Sequence, residues 1–491
     1  MKLLLVLPIA LPLLGAAIQS IFARHRHVQT AISFIVILSS LGTAIAITAI
    51  TFEGPVIAMQ VGAWPPGIAI PFVADVFSGL MLLIATLMVL VSTFFAVASG
   101  DDRRPFFHPL VLILMAGVSG AFLTGDLFNL FVFFEVMLIA SYVLLVSEGA
   151  RAQIRAGTVY VTTNLMGSTL LVAGVATVYG AAGTVNLAAL AGAGADSSTV
   201  ALGGAILLVA FSIKSSLAPF HGWLPTAYPV ASPAVTALFS GLLTKTGIYA
   251  LFRVYSLLFP ENRYGAVLLV VAGVTMVAGV LGAVGREQMR SILSFHMVSQ
   301  VGYMVAGLAL LGPLGVAAGI FYVLHHITVK ASLLLSAGAV EKLEGSGDLR
   351  RLSGVGLRRP ILAASFGIAA LSLAGLPPLS GFWAKLTLLR AMFVDHQYWI
   401  AATALVVSIL TLLSMIKIWN EVFWAESSAS DSSHRPEVTR ARRVALVAPA
   451  AFLAMISVGI GLWPEGLYAL SNDAAGHLLD PSAYVKAVMQ P

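Results

Sequence analysis

Residues 128–146 read FNLFVFFEVMLIASYVLLV, an apolar run with one glutamate, Glu135, near its middle. A run of about 20 apolar residues crosses a bilayer as a helix. A carboxylate at the centre of such a helix costs roughly 2.5–3.5 kcal/mol on insertion scales. Glu135 therefore needs a partner, and the rest of the chain has to supply one.

Working outward, apolar runs of this length recur from end to end. The 491 residues are 59% hydrophobic and 10% charged, against about 25% charged in a soluble domain. The composition predicts an all-α, polytopic membrane protein. The longest polar segments, 341–359 and 426–443, leave no room for a second, soluble domain. The first residues, MKLLLVLPIALPLLGAAIQS, have the outline of a signal peptide. Their length and the span that follows at once read better as a first helix. Cysteine is absent, which excludes disulfides, thiolate metal sites and iron–sulfur ligation within the chain. The net charge of +6 is dispersed over loops, so nucleic acid is not an implied partner. No cofactor fingerprint or nucleophile–base pattern points to an enzyme, and no cofactor is expected.

Fourteen helices are expected: 3–22, 28–52, 72–98, 106–124, 127–148, 156–181, 200–222, 230–259, 264–285, 289–311, 314–340, 360–393, 398–424 and 443–466. The odd-numbered loops between them hold seventeen of the 27 Lys and Arg, including Arg103, Arg104, Arg290, Arg350, Arg435 and Arg442. The positive-inside rule puts these loops in the cytoplasm and both termini outside, which an even number of spans requires. Lys214, Lys245, Lys330, Lys385 and Lys417 remain within apolar runs. Lys417, near the end of its span, is placed to snorkel. The other four are central, and Glu135 is the one acid expected deep in a span. A lysine from another helix can face it.

Two spans carry breaks. The seventh reads LLVAFSIKSSLAPFHGWLP, with Lys214 five residues before Pro219. The twelfth reads LSLAGLPPLSGFWAKLTLLRA, with Lys385 seven residues after Pro378. Proline removes a rung of the helical ladder, and in a membrane the freed backbone must be buried in protein or line a wet cavity. Breaks five spans apart suggest two inverted five-helix repeats. The expected organisation is 1–105 (helices 1–3), 106–259 (first repeat), 260–425 (second repeat) and 426–491 (loop, helix 14 and tail). The eleventh span contains GIFYVLHHITVKASLLLSAG, in which His326 and Lys330 share a helical face and His325 points about a hundred degrees away. A histidine pair one turn from a buried lysine reads as a proton-relay element. Without an accompanying carboxylate or thiol it is a poor metal site.

The stretches FFEVMLIASYVLL, SIKSSLAPFHGWLPTAYPVASPAVTALFSGLLTKTGIYALFRV, REQMRSILSFHMVSQVGYM, FYVLHHITVKASLLLSAG and AGLPPLSGFWAK resemble the antiporter-like family. That family is shared by respiratory complex I, membrane-bound hydrogenases and Mrp-type Na+/H+ antiporters, and the combination is most similar to Mrp subunits of the D type. The resemblance implies fourteen helices and a chain of charged residues and water along the mid-membrane. It also implies assembly with sister subunits and exchange of cytoplasmic Na+ for external protons. The family's helix-5 glutamate falls on Glu135, its lysines of helices 7 and 8 on Lys214 and Lys245, its helix-11 histidine region on His325, His326 and Lys330, and its helix-12 position on Lys385. Lys417 matches no family position.

Burial disfavours a charged lysine and an adjacent carboxylate favours it, so a Glu135–Lys214 pair that opens and closes would switch proton affinity. Lys245, His326, Lys330 and Lys385 are expected to form a lateral relay. Na+ wants oxygen ligands, and four buried lysines repel it, so this chain is expected to carry mainly the proton and a partner subunit the Na+. The rival reading is a proton-pumping subunit of a complex I-like or hydrogenase redox complex. A non-transporting membrane scaffold is a third, and predicts that the buried charges are replaceable together by apolar residues. Because the chain lacks cysteine, the topology is directly testable. Ser346→Cys and Ser427→Cys are expected to react with an impermeant thiol reagent from the cytoplasm, and Asp473→Cys from outside. Reaction of position 346 from outside would reverse the orientation.

Overall fold

The computed structural model describes residues 2–52, 54–65, 67–424, 436 and 438–490. Among these, ten helices are long and apolar enough to cross a membrane, including Val76–Ser99, Leu127–Leu145, Arg151–Ala182, Pro233–Leu258, Gly265–Val284, Met289–Leu310 and Pro313–Glu344. Four shorter apolar helices join them: Leu7–Ile21, Phe107–Leu123, Ser198–Lys214 and Pro360–Ala374. Arg435 and Ser427, in the loop expected to open the last segment, lie outside the described residues.

Local chemistry sets the helix ends. Asp75 caps Val76–Ser99 in a reciprocal pair with Ser78, and Asp126 caps Leu127–Leu145 by accepting from Asn129 N. Ser232 caps Pro233–Leu258, with Pro233 at the first helical position, where its missing N–H costs nothing. The bundle is built around Pro233–Leu258 and Pro313–Glu344. Every residue of the first is buried, as is the whole apolar window of the second. A helix that is apolar all round belongs in the middle of a large bundle. Outer helices such as Arg151–Ala182 expose most of their surface, as lipid-facing helices do.

The arginine-rich loops meet on one face of the bundle. Arg26 of the first loop grips Asp102 at 2.8 Å, and Lys342 reaches Asp101 at 2.7 Å. Arg104 meets Glu148 at 3.3 Å, Arg290 meets Glu341 at 2.7 Å, and Arg350 pairs with Glu287. Arg442 donates to the carbonyls of Ala98 and Ser99. Lys417 is part-exposed and bonds the Val284 and Arg286 carbonyls, so it snorkels to the end of a neighbouring helix and is not a buried base.

Three features depart from the expected all-α outline. The loop after Arg26–Thr51 forms a two-stranded antiparallel hairpin, Ile57–Gln60 against Pro71–Ala74. Its ladder satisfies backbone groups that an irregular loop against the bundle would leave unpaired. The expected span 200–222 ends as a helix at Lys214 and continues through short turns to Val230. The C-terminal tail is helical, as Pro464–Leu479 and Ser482–Met489. It folds back on the bundle: Gln60 Nε2 donates to Val488 O at 2.7 Å, and the Tyr484 ring lies 5.2 Å from the Arg253 guanidinium.

Beneath that tail, Arg253 pairs with Asp75 at 2.6 Å, both side chains almost fully buried. Removing one partner of such a pair strands a charge, at about 3–5 kcal/mol. Asp75→Ala is expected to lower thermal stability in detergent by that order, and adding Arg253→Met to restore most of it.

Candidate functional site

The first break begins where the helix Ser198–Lys214 stops. Pro219 cannot donate, and Ser216 takes a positive φ of 63°. The freed groups find partners nearby. Ala218 N donates to Thr275 Oγ1 at 3.0 Å, and the Trp223 indole donates to Ile213 O at 3.0 Å. Gly247 lets the next helix approach the break, since a Cβ there would lie 2.5 Å from Ser215 Oγ.

Lys214, in the last turn, reaches across to the helix Arg151–Ala182. Its ammonium donates to Asn164 O at 2.9 Å and to Ser168 Oγ at 2.6 Å. Ser168 in turn donates to the Glu135 carboxylate. Lys214 Nζ and Glu135 Oε1 are 3.9 Å apart. The expected pair is thus present, with the Ser168 hydroxyl between its members. The Glu135 side chain is 26% exposed, while that of Lys214 is buried.

The second break lies between Pro360–Ala374 and Ser380–Val394. Gly375 turns the chain with a φ of 94°. Gly381 then passes so close to the preceding half-helix that a Cβ would fall 1.7 Å from Ser372 O. Lys385 Nζ donates to Ala374 O at 2.9 Å and to Ser408 Oγ at 2.6 Å. Its ammonium lies 5.3 Å from the Tyr303 ring, beside a cavity of about 190 Å³. Lys214 precedes its proline and Lys385 follows its own; the Lys385 ammonium sits at the carbonyl end of the half-helix Pro360–Ala374, whereas the Lys214 ammonium reaches across to Asn164 and Ser168 in the middle of a neighbouring helix. The carbonyl end of a half-helix carries partial negative charge.

The remaining bases lie between the breaks. Lys245, His326 and Lys330 are fully buried. Lys245 makes one weak bond, 3.2 Å to Thr244 Oγ1. Neither ring nitrogen of His326 nor the Lys330 ammonium has a hydrogen-bond partner among the described residues. The charged groups acting on His326 are Lys245, Lys330 and His325. His325 faces the other way: its Nδ1 lies 2.8 Å from Ser380 Oγ. Ser380 is one of three mutually bonded hydroxyls, with Ser372 and Ser457. The adjacent histidines therefore serve different neighbours, one the central bases and one the second break. His221 sits in the turn after the first break, and its Nδ1 has no partner among the described residues.

Several members of the site escape single-residue reading. Ser168 and Asn164 are ordinary polar residues of a membrane helix until Lys214 docks on them. His296 is fully buried, bonded to Ser414 at 2.9 Å, and is acted on by both Lys330 and Lys385. It fills the gap between the central bases and the second break. The spacing of His296, Gln300 and Tyr303 in SFHMVSQVGYM puts three polar residues on one helical face, a signal that periodicity could have exposed.

Comparisons with known proteins place the whole chain. The D-type Na(+)/H(+) antiporter chain of Alkalihalophilus pseudofirmus is 40% identical over 494 residues, covering 99% of each chain. A chain of the Mrp complex from Dietzia sp. DQ12-45-1b superposes with a TM-score of 0.95 at 44% identity, covering 100% of both. A chain of respiratory complex I from Thermus thermophilus superposes at 0.80 with 26% identity, covering 98% and 99%. The resemblance drawn from the motifs is borne out, and the protein is a multi-pass membrane protein. The model of the transmembrane family described as NADH:quinone oxidoreductase/Mrp antiporter matches residues 124–411, and the chain belongs to that family.

Proposed function

We propose that this chain is the proton-translocating membrane subunit of a multisubunit Na+/H+ antiporter, a secondary antiporter of the plasma membrane that works with sister subunits. The observation that carries the reading is the part-exposed Glu135 joined through Ser168 to the buried Lys214, together with the further buried bases Lys245, His326, Lys330 and Lys385. The full-length identity to antiporter chains favours this function over a redox-complex subunit, for which the identity is 26%. The ten long and four shorter apolar helices support fourteen crossings, if Pro360–Ala374 and Ser380–Val394 make one broken span. The two breaks, each with a buried lysine beside it, support inverted repeats over 106–259 and 260–425. The clustering of arginine-rich loops on one face supports the cytoplasmic assignment of that face and both termini outside.

The chemistry follows from the contacts. Ser168 accepts from the lysine and donates to the carboxylate. It can hand its proton to Glu135 as it takes one from Lys214, so the pair exchanges a proton through the hydroxyl. Once neutral, Lys214 can be recharged from the interior bases. Unpartnered nitrogens on His326 and Lys330 are costly in a dry core, which favours a hydrated path between them. The partial exposure of Glu135 suits a handover to a neighbouring subunit.

Ion flux in inverted vesicles from an antiporter-deficient strain expressing the whole gene cluster tests this. Glu135→Gln and Lys214→Met are each expected to abolish exchange and to destabilise, with the exposed carboxylate keeping the loss near the lower end of about 3–5 kcal/mol. The double mutant should regain stability and stay inactive. Normal transport in the double mutant would make the pair structural.

The relay is tested separately by His326→Ala, Lys245→Ala and Lys385→Ala. Each is expected to slow exchange at least tenfold, a loss typical of a positioned proton-transfer group, in a complex that still assembles. Full activity in all three would remove the lateral path.

A further inference from the structure

On the arginine-rich face, a cleft of about 320 Å³ opens between the helices Pro360–Ala374 and Arg440–Leu462. Its rim is formed by Arg358, Arg359 and Arg443, and its wall by Ile361, Val447 and Ala451. We propose that this cleft binds an anionic phospholipid, its phosphodiester on the arginines and the start of an acyl chain along the apolar wall.

Charge and shape both specify that ligand. Arg358 and Arg359 share the Glu344 carboxylate at 3.1 and 3.3 Å, so two guanidiniums answer one buried acid. Arg358 Nε has no hydrogen-bond partner among the described residues. Arg443 adds a third positive group without an acidic partner among the described residues. The rim therefore carries an excess of positive charge above an apolar slot.

The wall changes character with depth. Arg443, Val447 and Ala451 recur every four residues on one helical stripe. The helix rises about 12 Å from the first to the last, which takes a headgroup at the charged end and hydrocarbon below it. Ile361 is 68% and Val444 60% exposed at the mouth. Large apolar side chains beside guanidiniums suit the boundary between headgroups and acyl chains, where arginine snorkels. Both helices begin at the cleft, and their N-terminal dipoles add to the attraction for an anion. A soluble anion would have no use for the wall, and a neutral lipid none for the rim.

The test uses the whole purified complex in nanodiscs, with native mass spectrometry of retained phosphatidylglycerol or cardiolipin against phosphatidylcholine. A basic side chain near an anionic headgroup is worth about fivefold in affinity. The wild-type complex is expected to retain the anionic lipids by at least that factor. Arg443→Gln should lose about fivefold, Arg443→Lys should keep most of it, and Ala448→Phe, which fills the slot, should lose retention with the arginines intact. Equal retention of phosphatidylcholine, or retention unchanged by both Arg443→Gln and Ala448→Phe, would overturn the site. So would efficient cross-linking of Val444→Cys to a sister subunit, because the cleft would then be a protein interface.

Discussion

Breaking a helix inside a bilayer releases carbonyls that cannot turn to solvent. In this chain a buried lysine stands at each of the two breaks, and at the second it takes such a carbonyl. Lys385 bonds the last carbonyl of the half-helix before its break, and Lys214 sits in the last turn of the other. At Lys385 the arrangement solves two costs at once. An ammonium that would be ruinous in hydrocarbon gains oxygen ligands and a favourable dipole, and a helix end that would be orphaned gains a donor. The surrounding packing serves this geometry. Gly247 and Gly381 give up their side chains so that a helix can pass each break at backbone distance.

The two ends of the polar line are built differently. At one end the lysine meets a carboxylate through Ser168, and that carboxylate is partly exposed. At the other, Lys385 meets neutral oxygens and an aromatic face. Between them the bases lie on the two most enclosed helices. The two ends thus differ in charge, with a carboxylate at one and neutral oxygens at the other. The interior histidines also differ, with His326 unpartnered near the lysines and His325 bonded to the Ser380 hydroxyl.

The ion pairs that hold the structure together and the groups proposed to carry protons are separate. The Asp75–Arg253 pair and the ion pairs of the arginine-rich face tie loops and tail together at the two surfaces, away from the central bases. Those central bases have few fixed partners. A group meant to change protonation state cannot be locked into one hydrogen-bonding arrangement, whereas a group that holds helices together is best locked.

By itself, the sequence determined that the chain crosses a membrane many times, that Glu135 needs a basic partner, that the segments around Pro219 and Pro378 are broken, and that His326 and Lys330 share a face. These follow from composition, from charge placed in apolar runs and from helical spacing, all of which act locally along the chain. The sequence offered Lys214 as the partner of Glu135, and the tertiary structure sets the two 3.9 Å apart with the Ser168 hydroxyl between them. Tertiary structure alone brought in Ser168, Ser380 and Ser408, hydroxyls whose importance lies in what docks on them, and His296, which closes the gap to Lys385. It also supplied the hairpin over Ile57–Gln60 and Pro71–Ala74 and the helical tail. Short apolar strands and amphipathic tail segments take their form from the surface they cover. Helices buried on every side, such as Pro233–Leu258, show no apolar face in their pattern, so their central position is fixed by packing among neighbours that sequence periodicity does not record.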